Sequence, residues 1–98
     1  MEKKTKWRIY TEYIHSRHIA KIVSGYFSSF SMFSGIRHYD SEKERCLVIE
    51  IIADAIQKVD IISICEEINI DNHQKCCMVT SEQVDVMLIT ERKPVLKP

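Results

Sequence analysis

The segment from Cys46 to Ile52, CLVIEII, carries one charge, Glu50, in an otherwise unbroken apolar run. A strand that is polar on alternate residues can leave one face in water, but this one is apolar on both sides. It therefore reads as a central strand, Glu44–Ala53, with neighbours on either edge. Glu50 within such a strand calls for a basic partner or a subunit interface, because an unpaired buried carboxylate is costly.

The rest of the chain supplies those neighbours. Residues Lys6 to Ile14 alternate, with Trp7, Ile9, Thr11 and Tyr13 on one side and Arg8, Tyr10 and Glu12 on the other, which predicts a first strand. In HSRHIAKIVSGYF, the residues Ile19, Ile22, Val23, Tyr26, Phe27 and Phe30 recur at helical spacing, with Ser16 as the expected N-cap. Ser28–Tyr39 reads as a second strand, followed by a polar turn over Asp40–Lys43. Asp54 is placed to cap a second helix rich in isoleucine, and NIDNHQK is a turn region. CCMVT is a fourth strand, with VDVMLIT a further strand or its continuation. The expected class is α+β: a ferredoxin-like β-α-β-β-α-β sandwich, an antiparallel sheet with two helices on one face and an extra C-terminal strand.

The chain has 98 residues, which predicts a single domain (1–98) with a core over about 6–90 and a loose tail at 91–98. A domain this short leaves much of its surface exposed, so a partner subunit would add core. Fourteen basic side chains balance fourteen acidic ones, and the only basic run is Lys3, Lys4, Lys6 and Arg8. Proteins that wrap duplex nucleic acid usually carry a basic excess, so that partner is not expected. The charged start lacks the apolar core of a secretory signal, and no apolar run nears the roughly 18–20 residues of a membrane span. The expectation is a cytoplasmic protein with no membrane partner. Cys46, Cys65, Cys76 and Cys77 lie in apolar segments, and the adjacent pair points to opposite strand faces, so all four read as reduced, buried thiols.

The order and spacing resemble the PII and CutA group of small trimeric regulatory proteins. The hairpin also resembles a pattern of small phage-encoded proteins of this fold: a glycine, an aromatic, and a glutamate before a strand. Gly35, Tyr39 and Glu44 stand at those positions, ahead of CLVIEII, and WRIYTE (Trp7 to Glu12) matches the first strand. Tyr39 and Ser41 stand where the pattern has tryptophan and glycine. The resemblance spans roughly residues 6–90. It implies a homo-oligomer (dimer, trimer or larger) with ligand pockets between subunits, built from hairpin loops and the start of the first helix. It further implies nucleotide binding, or the sequestration of a nucleotide signal of bacterial immunity, as in phage anti-defence.

Two constellations fit such a ligand. Arg37, His38, Tyr39, Lys43 and Arg45 put cations and an aromatic on one hairpin; arginine forks pair with phosphates and aromatics stack on bases. The same residues also suit a solvated hairpin tip that protects a sheet edge. His15, Arg17, His18 and Lys21 flank a strand-to-helix junction whose free N–H groups attract anions, or form an ordinary polar first turn. Tyr10 and Tyr13 could stack or pack. No spacing specific for zinc, no phosphate-binding glycine loop and no nucleophile–base pair is present, so neither metal, cofactor nor enzymatic activity is expected.

The sequence therefore predicts a small oligomeric binding module that captures a nucleotide or nucleotide-like anionic signal between subunits. Its expected ligand-binding residues are Arg37, Tyr39, Lys43, Arg45, His15, Arg17, His18 and Tyr10. The alternative is a protein-interaction module or inhibitor that docks on a partner protein without a small ligand.

Overall fold

The computed structural model describes residues 2–91. In chain order these form β1 (Glu2–Glu12), α1 (Ser16–Ser24), β2 (Ser31–Tyr39), β3 (Glu42–Ala53), a short 3-10 turn (Ala55–Gln57), α2 (Lys58–Asn72) and β4 (Met78–Val86). The four strands make one sheet in the order β2-β3-β1-β4, and every neighbouring pair is antiparallel. This is the ferredoxin-like arrangement: each helix connects two parallel strands that have the third between them.

The apolar β3 lies between β2 and β1, which explains its composition. Trp7, Ile9 and Thr11 of β1 stand opposite Ile51, Ile49 and Leu47 of β3, and this face packs against Ile19, Ile22 and Val23 of α1 and Ile61, Ile64 and Ile68 of α2. Ile9, Ile49, Ile51, Ile64 and Ile68 have no exposed surface. The other face holds Arg8, Tyr10, Val48 and Glu50, and Glu50 accepts a 2.8 Å hydrogen bond from Arg8 Nε. The isolated charge of the central strand is thus matched within the chain.

The structure moves several expected boundaries. β1 begins at Glu2 because its ladder to β4 continues through Lys3–Asp85 (2.9 Å) and Lys6–Glu82 (3.1 Å) ion pairs. Lys4 reaches Asp54 at 2.8 Å, so each member of the basic run, Arg8 included, faces a carboxylate. β2 begins at Ser31, three residues later than expected. His15, in the left-handed region (φ 51°), occupies the N-cap position of α1 that Ser16 was expected to take. The extra C-terminal strand is corrected: CCMVT and VDVMLIT supply parts of one strand, β4, and Met87–Glu91 form no further strand. The ladder to β1 runs unbroken from Met78 opposite Tyr10 to Val86 opposite Glu2, so β4 stops where β1 has no more residues to pair with. Apart from Glu91, the tail expected to be loose lies outside the described residues.

The β2–β3 hairpin closes through Asp40 (φ 52°) and Ser41 (φ 67°), the two-residue turn with both φ positive that suits the twist of paired strands. Beyond Leu47 no helix covers this hairpin, and residues 36–45 are all exposed. It projects from a molecule 61 Å long and 28 × 25 Å across. No helix among the described residues is long and apolar enough to cross a membrane.

Candidate functional site

β1 ends at Glu12, where the Ile14 N–H turns back to the Glu12 carbonyl at 2.9 Å. β4 begins at Met78, opposite Tyr10. The link between α2 and β4 must therefore pass beside the end of β1. It does so through a tight helix stop: His73 is left-handed (φ 53°), its N–H donates to the Ile70 carbonyl, and the Gln74 N–H donates to the Asn69 carbonyl at 3.1 Å. This paired closure usually has glycine at the left-handed position.

Gln74 then locks the link to the sheet. Its Nε2 donates to Thr11 Oγ1 (2.7 Å) and to the Cys76 carbonyl (3.0 Å), and its Oε1 accepts from Asn72 Nδ2 (3.2 Å). Buried Thr11 and Asn72 are satisfied in this way.

Between this link and the hairpin stem lies a cleft of about 370 Å³. Tyr10, Thr11 and Glu12 of β1 meet Arg37 of β2, Glu44, Arg45 and Cys46 of β3, and His73–Cys76 with Met78. Arg37, Arg45 and Lys75 line the cleft together with the carboxylates Glu12 and Glu44, one positive charge in excess. Arg37 Nη2 pairs with Glu44 Oε1 at 3.2 Å across the hairpin, and both are about half exposed. The Arg45 guanidinium lies 3.9 Å from the centre of the Tyr13 ring. A cleft with a phenol ring, two arginines, a lysine and acceptor carboxylates can hold an anion next to a flat polar ring.

Of the residues expected from sequence, Tyr10, Arg37 and Arg45 meet in this cleft. The others stand elsewhere in the single chain. Tyr39 is at the hairpin tip, in a recess shared with Asp40, Glu42 and Glu44. Lys43 is exposed on the arm, opposite His38. Arg17 lines a separate recess of about 310 Å³ with Tyr13, Met32 and Phe33. His18 Nε2 meets Asp71 Oδ2 at 2.7 Å, and His15 Nδ1 lies 3.4 Å from Asn72 Oδ1. These two histidines tie the start of α1 to the end of α2, and through Asn72 and Gln74 they connect to the cleft wall.

Sequence reasoning missed Glu12, Glu44, His73, Gln74, Lys75 and Met78 as cleft residues. The available signal was the pair of basic residues in NIDNHQK, which reads only as a turn until the helix end is located. The expectation of four buried cysteines is also corrected. Cys46 is buried and Cys65 and Cys77 are half-buried, but Cys76 is exposed: of the adjacent pair, Cys77 packs against the core and Cys76 does not. Among the described residues, no three metal-ligating side chains converge.

No family model matches the chain, and no curated protein does. Solved structures do. CPII, a nitrogen regulatory PII-like protein from Thiomonas intermedia bound to ADP, AMP and bicarbonate, superposes with a TM-score of 0.67 over 91% of this chain and 98% of its own, at 8% identity. A DUF3240 family protein from Shewanella baltica gives a TM-score of 0.64 over 95% of this chain and all of its own, at 10% identity. The chain therefore has the ferredoxin-like fold of PII-type small proteins.

Proposed function

We propose that the chain is a small regulatory module that binds a nucleotide or nucleotide-like anion in the cleft at the end of its sheet. The observation that carries this reading is the convergence of Tyr10, Arg37, Arg45 and Lys75 around one cavity. The fold supports it, since a PII-like protein of the same architecture was solved with ADP and AMP. In this reading the guanidinium groups and Lys75 take the phosphates, Tyr10 stacks on the base, and Glu12 or Glu44 accepts from ribose hydroxyls or a base amine.

The wider form of the proposal is a homo-oligomer. The cleft is open, and Tyr39, Lys43, His15, Arg17 and His18 would join it only from a neighbouring subunit. Sequestration of a nucleotide signal of bacterial immunity is one use of such a pocket. Titration calorimetry with a panel of nucleoside mono-, di- and triphosphates and cyclic dinucleotides tests the reading. Removing one charged hydrogen-bonding partner, as in Arg37→Ala or Lys75→Ala, should weaken binding by about tenfold to a hundredfold. Failure of the wild-type protein to bind any member of the panel overturns the proposal.

A second reading has its own observation. On the face away from the helices, Phe33, Ile52 and Met78 are each close to half exposed around the Arg8–Glu50 pair. Such a mixed apolar and charged surface suits a protein partner. Native mass spectrometry separates the two readings: an oligomer carrying a few hundred daltons of ligand favours the first, and a bare monomer the second.

A further inference from the structure

Behind the cleft wall two thiols stand together. Cys65 lies midway along α2, and Cys77 is the residue before β4. Both are half-buried against the core. Cys77 Sγ is 3.4 Å from Asn69 Oδ1 and 4.0 Å from the Cys65 carbonyl oxygen, so the start of β4 is already seated on α2 through its sulfur. The neighbouring Cys65 thiol, with help from the Thr11 hydroxyl, lowers Cys77 below the ordinary thiol range. The same contact, together with burial, pushes Cys65 up. The donor Gln74 Nε2, 3.6 Å from Cys77 Sγ, favours the thiolate there, so Cys77 attacks first and Cys65 resolves.

We infer that Cys65 and Cys77 form an oxidisable dithiol site, which a low-molecular-weight disulfide of the glutathione type converts to an intramolecular disulfide clamping β4 to α2. The Cys77 thiolate attacks one sulfur of the small disulfide. Its S–S bond breaks, a mixed disulfide forms on Cys77, and the leaving thiolate takes up the proton that Cys77 released. Cys65 then loses its proton to water and attacks Cys77 Sγ, expelling the second small thiolate, which is protonated in turn. Two protein thiols are oxidised, and one small disulfide is reduced to two thiols.

This bond bears on the cleft. In the dithiol form Gln74 Nε2 lies 3.6 Å from Cys77 Sγ while holding Thr11 and the Cys76 carbonyl. A sulfur–sulfur bond of about 2.05 Å draws Cys77 Sγ onto Cys65 and removes the thiolate that Gln74 Nε2 approaches. Gln74, His73 and Lys75 form one wall of the cleft, so oxidation resets that wall. This consequence rests on the ligand-binding reading above; the disulfide itself does not.

The test equilibrates the full chain in glutathione buffers from reducing to oxidising, traps free thiols with iodoacetamide, and maps peptides by mass spectrometry without reduction. A Cys65–Cys77 cross-link is expected, with loss of two hydrogens from the intact mass and about tenfold less labelling at both positions, reversed by dithiothreitol. The combined Cys46→Ser and Cys76→Ser variant should form the same link, and Cys77→Ser should not. Cys46 is buried, so Cys76→Ser alone serves if the double variant does not fold. Unchanged labelling at Cys65 and Cys77 in the oxidising buffer, or a cross-link through Cys46 or Cys76, overturns the assignment. ADP binding to both redox forms reads the consequence: a change of about tenfold supports it, and equal affinity overturns it. Absence of ADP binding in both forms overturns the coupling to the cleft and leaves the disulfide standing.

Discussion

The Arg45 guanidinium lies 3.9 Å above the Tyr13 ring. This contact joins the projecting β2–β3 arm to the turn that leads from β1 into α1, and so sets where the two arginines of the arm stand relative to the cleft. Tyr13 is 39% exposed, which places the pair at the weak end of cation–π energies.

Replacing Arg45 with alanine should therefore cost about 0.5–1 kcal/mol of folding stability. Urea denaturation of Arg45→Ala, Tyr13→Ala and the double variant gives the coupling directly. Additive effects would mean that the contact is geometric only and does not hold the arm.

The hairpin turn offers a gain in stability. Ser41 holds φ 67°, where an L side chain meets its own backbone and glycine does not. Ser41→Gly should raise stability by about 0.5 kcal/mol, after glycine's greater freedom in the unfolded chain is deducted. The β-branched Ser41→Val should lower it. Thermal melting of both variants checks the order.

Central packing should dominate stability. Ile49 is fully buried at the middle of β3, between β1 and β2 and under both helices. Ile49→Ala should cost about 3 kcal/mol, as expected for a truncation that leaves a cavity. Ile56, at the start of the second helical region, is 83% exposed, and Ile56→Ala should change stability by less than about 0.5 kcal/mol. Chemical denaturation of the two variants side by side reads the contrast.

Alkaline pH should weaken the fold through Tyr26. Its hydroxyl donates to the Glu67 carboxylate, and that bond, with burial and the nearby negative charge, raises its pKa above the ordinary 10.0. The folded state holds this proton more tightly than the unfolded state. The stabilisation is therefore fully present below pH 10.0 and is lost as pH rises through the folded value. Lys4, raised from 10.5 by its bond to Asp54, adds a loss of the same sign. Tyr26→Phe should be less stable than wild type at neutral pH, and the difference should shrink as pH rises above 10.0. A gap that stays constant with pH would remove Tyr26 from the alkaline transition.

Much of the fold was legible because it is written in local spacing. CLVIEII reads as a central strand, and Ile61, Ile64 and Ile68 of α2 recur at the spacing of one helix face and are buried, whereas the equally apolar Ile56, Val59, Ile62 and Ile70 are exposed. In β2, Arg37 and Tyr39 share one face and His38 takes the other, in register with Glu44, Glu42 and Lys43 of β3. Boundaries were less legible. Lys3 and Lys6 looked like a loose basic start, because their partners Asp85 and Glu82 lie at the far end of the chain and act only after the sheet has formed.

The sequence by itself determined which segments are strands and helices and in what order they run, because burial period is a property of neighbouring residues. Only the tertiary structure decided that Tyr10, Arg37, Arg45 and Lys75 share a cleft. Their meeting depends on the register of β1 against β3 and β4, and on His73 turning left-handed where no glycine announces it. It likewise decided that Cys77 faces Cys65, while its neighbour Cys76 turns to solvent. These are relations between distant segments, set by how the sheet pairs and the helices pack, and no local pattern of residues encodes them.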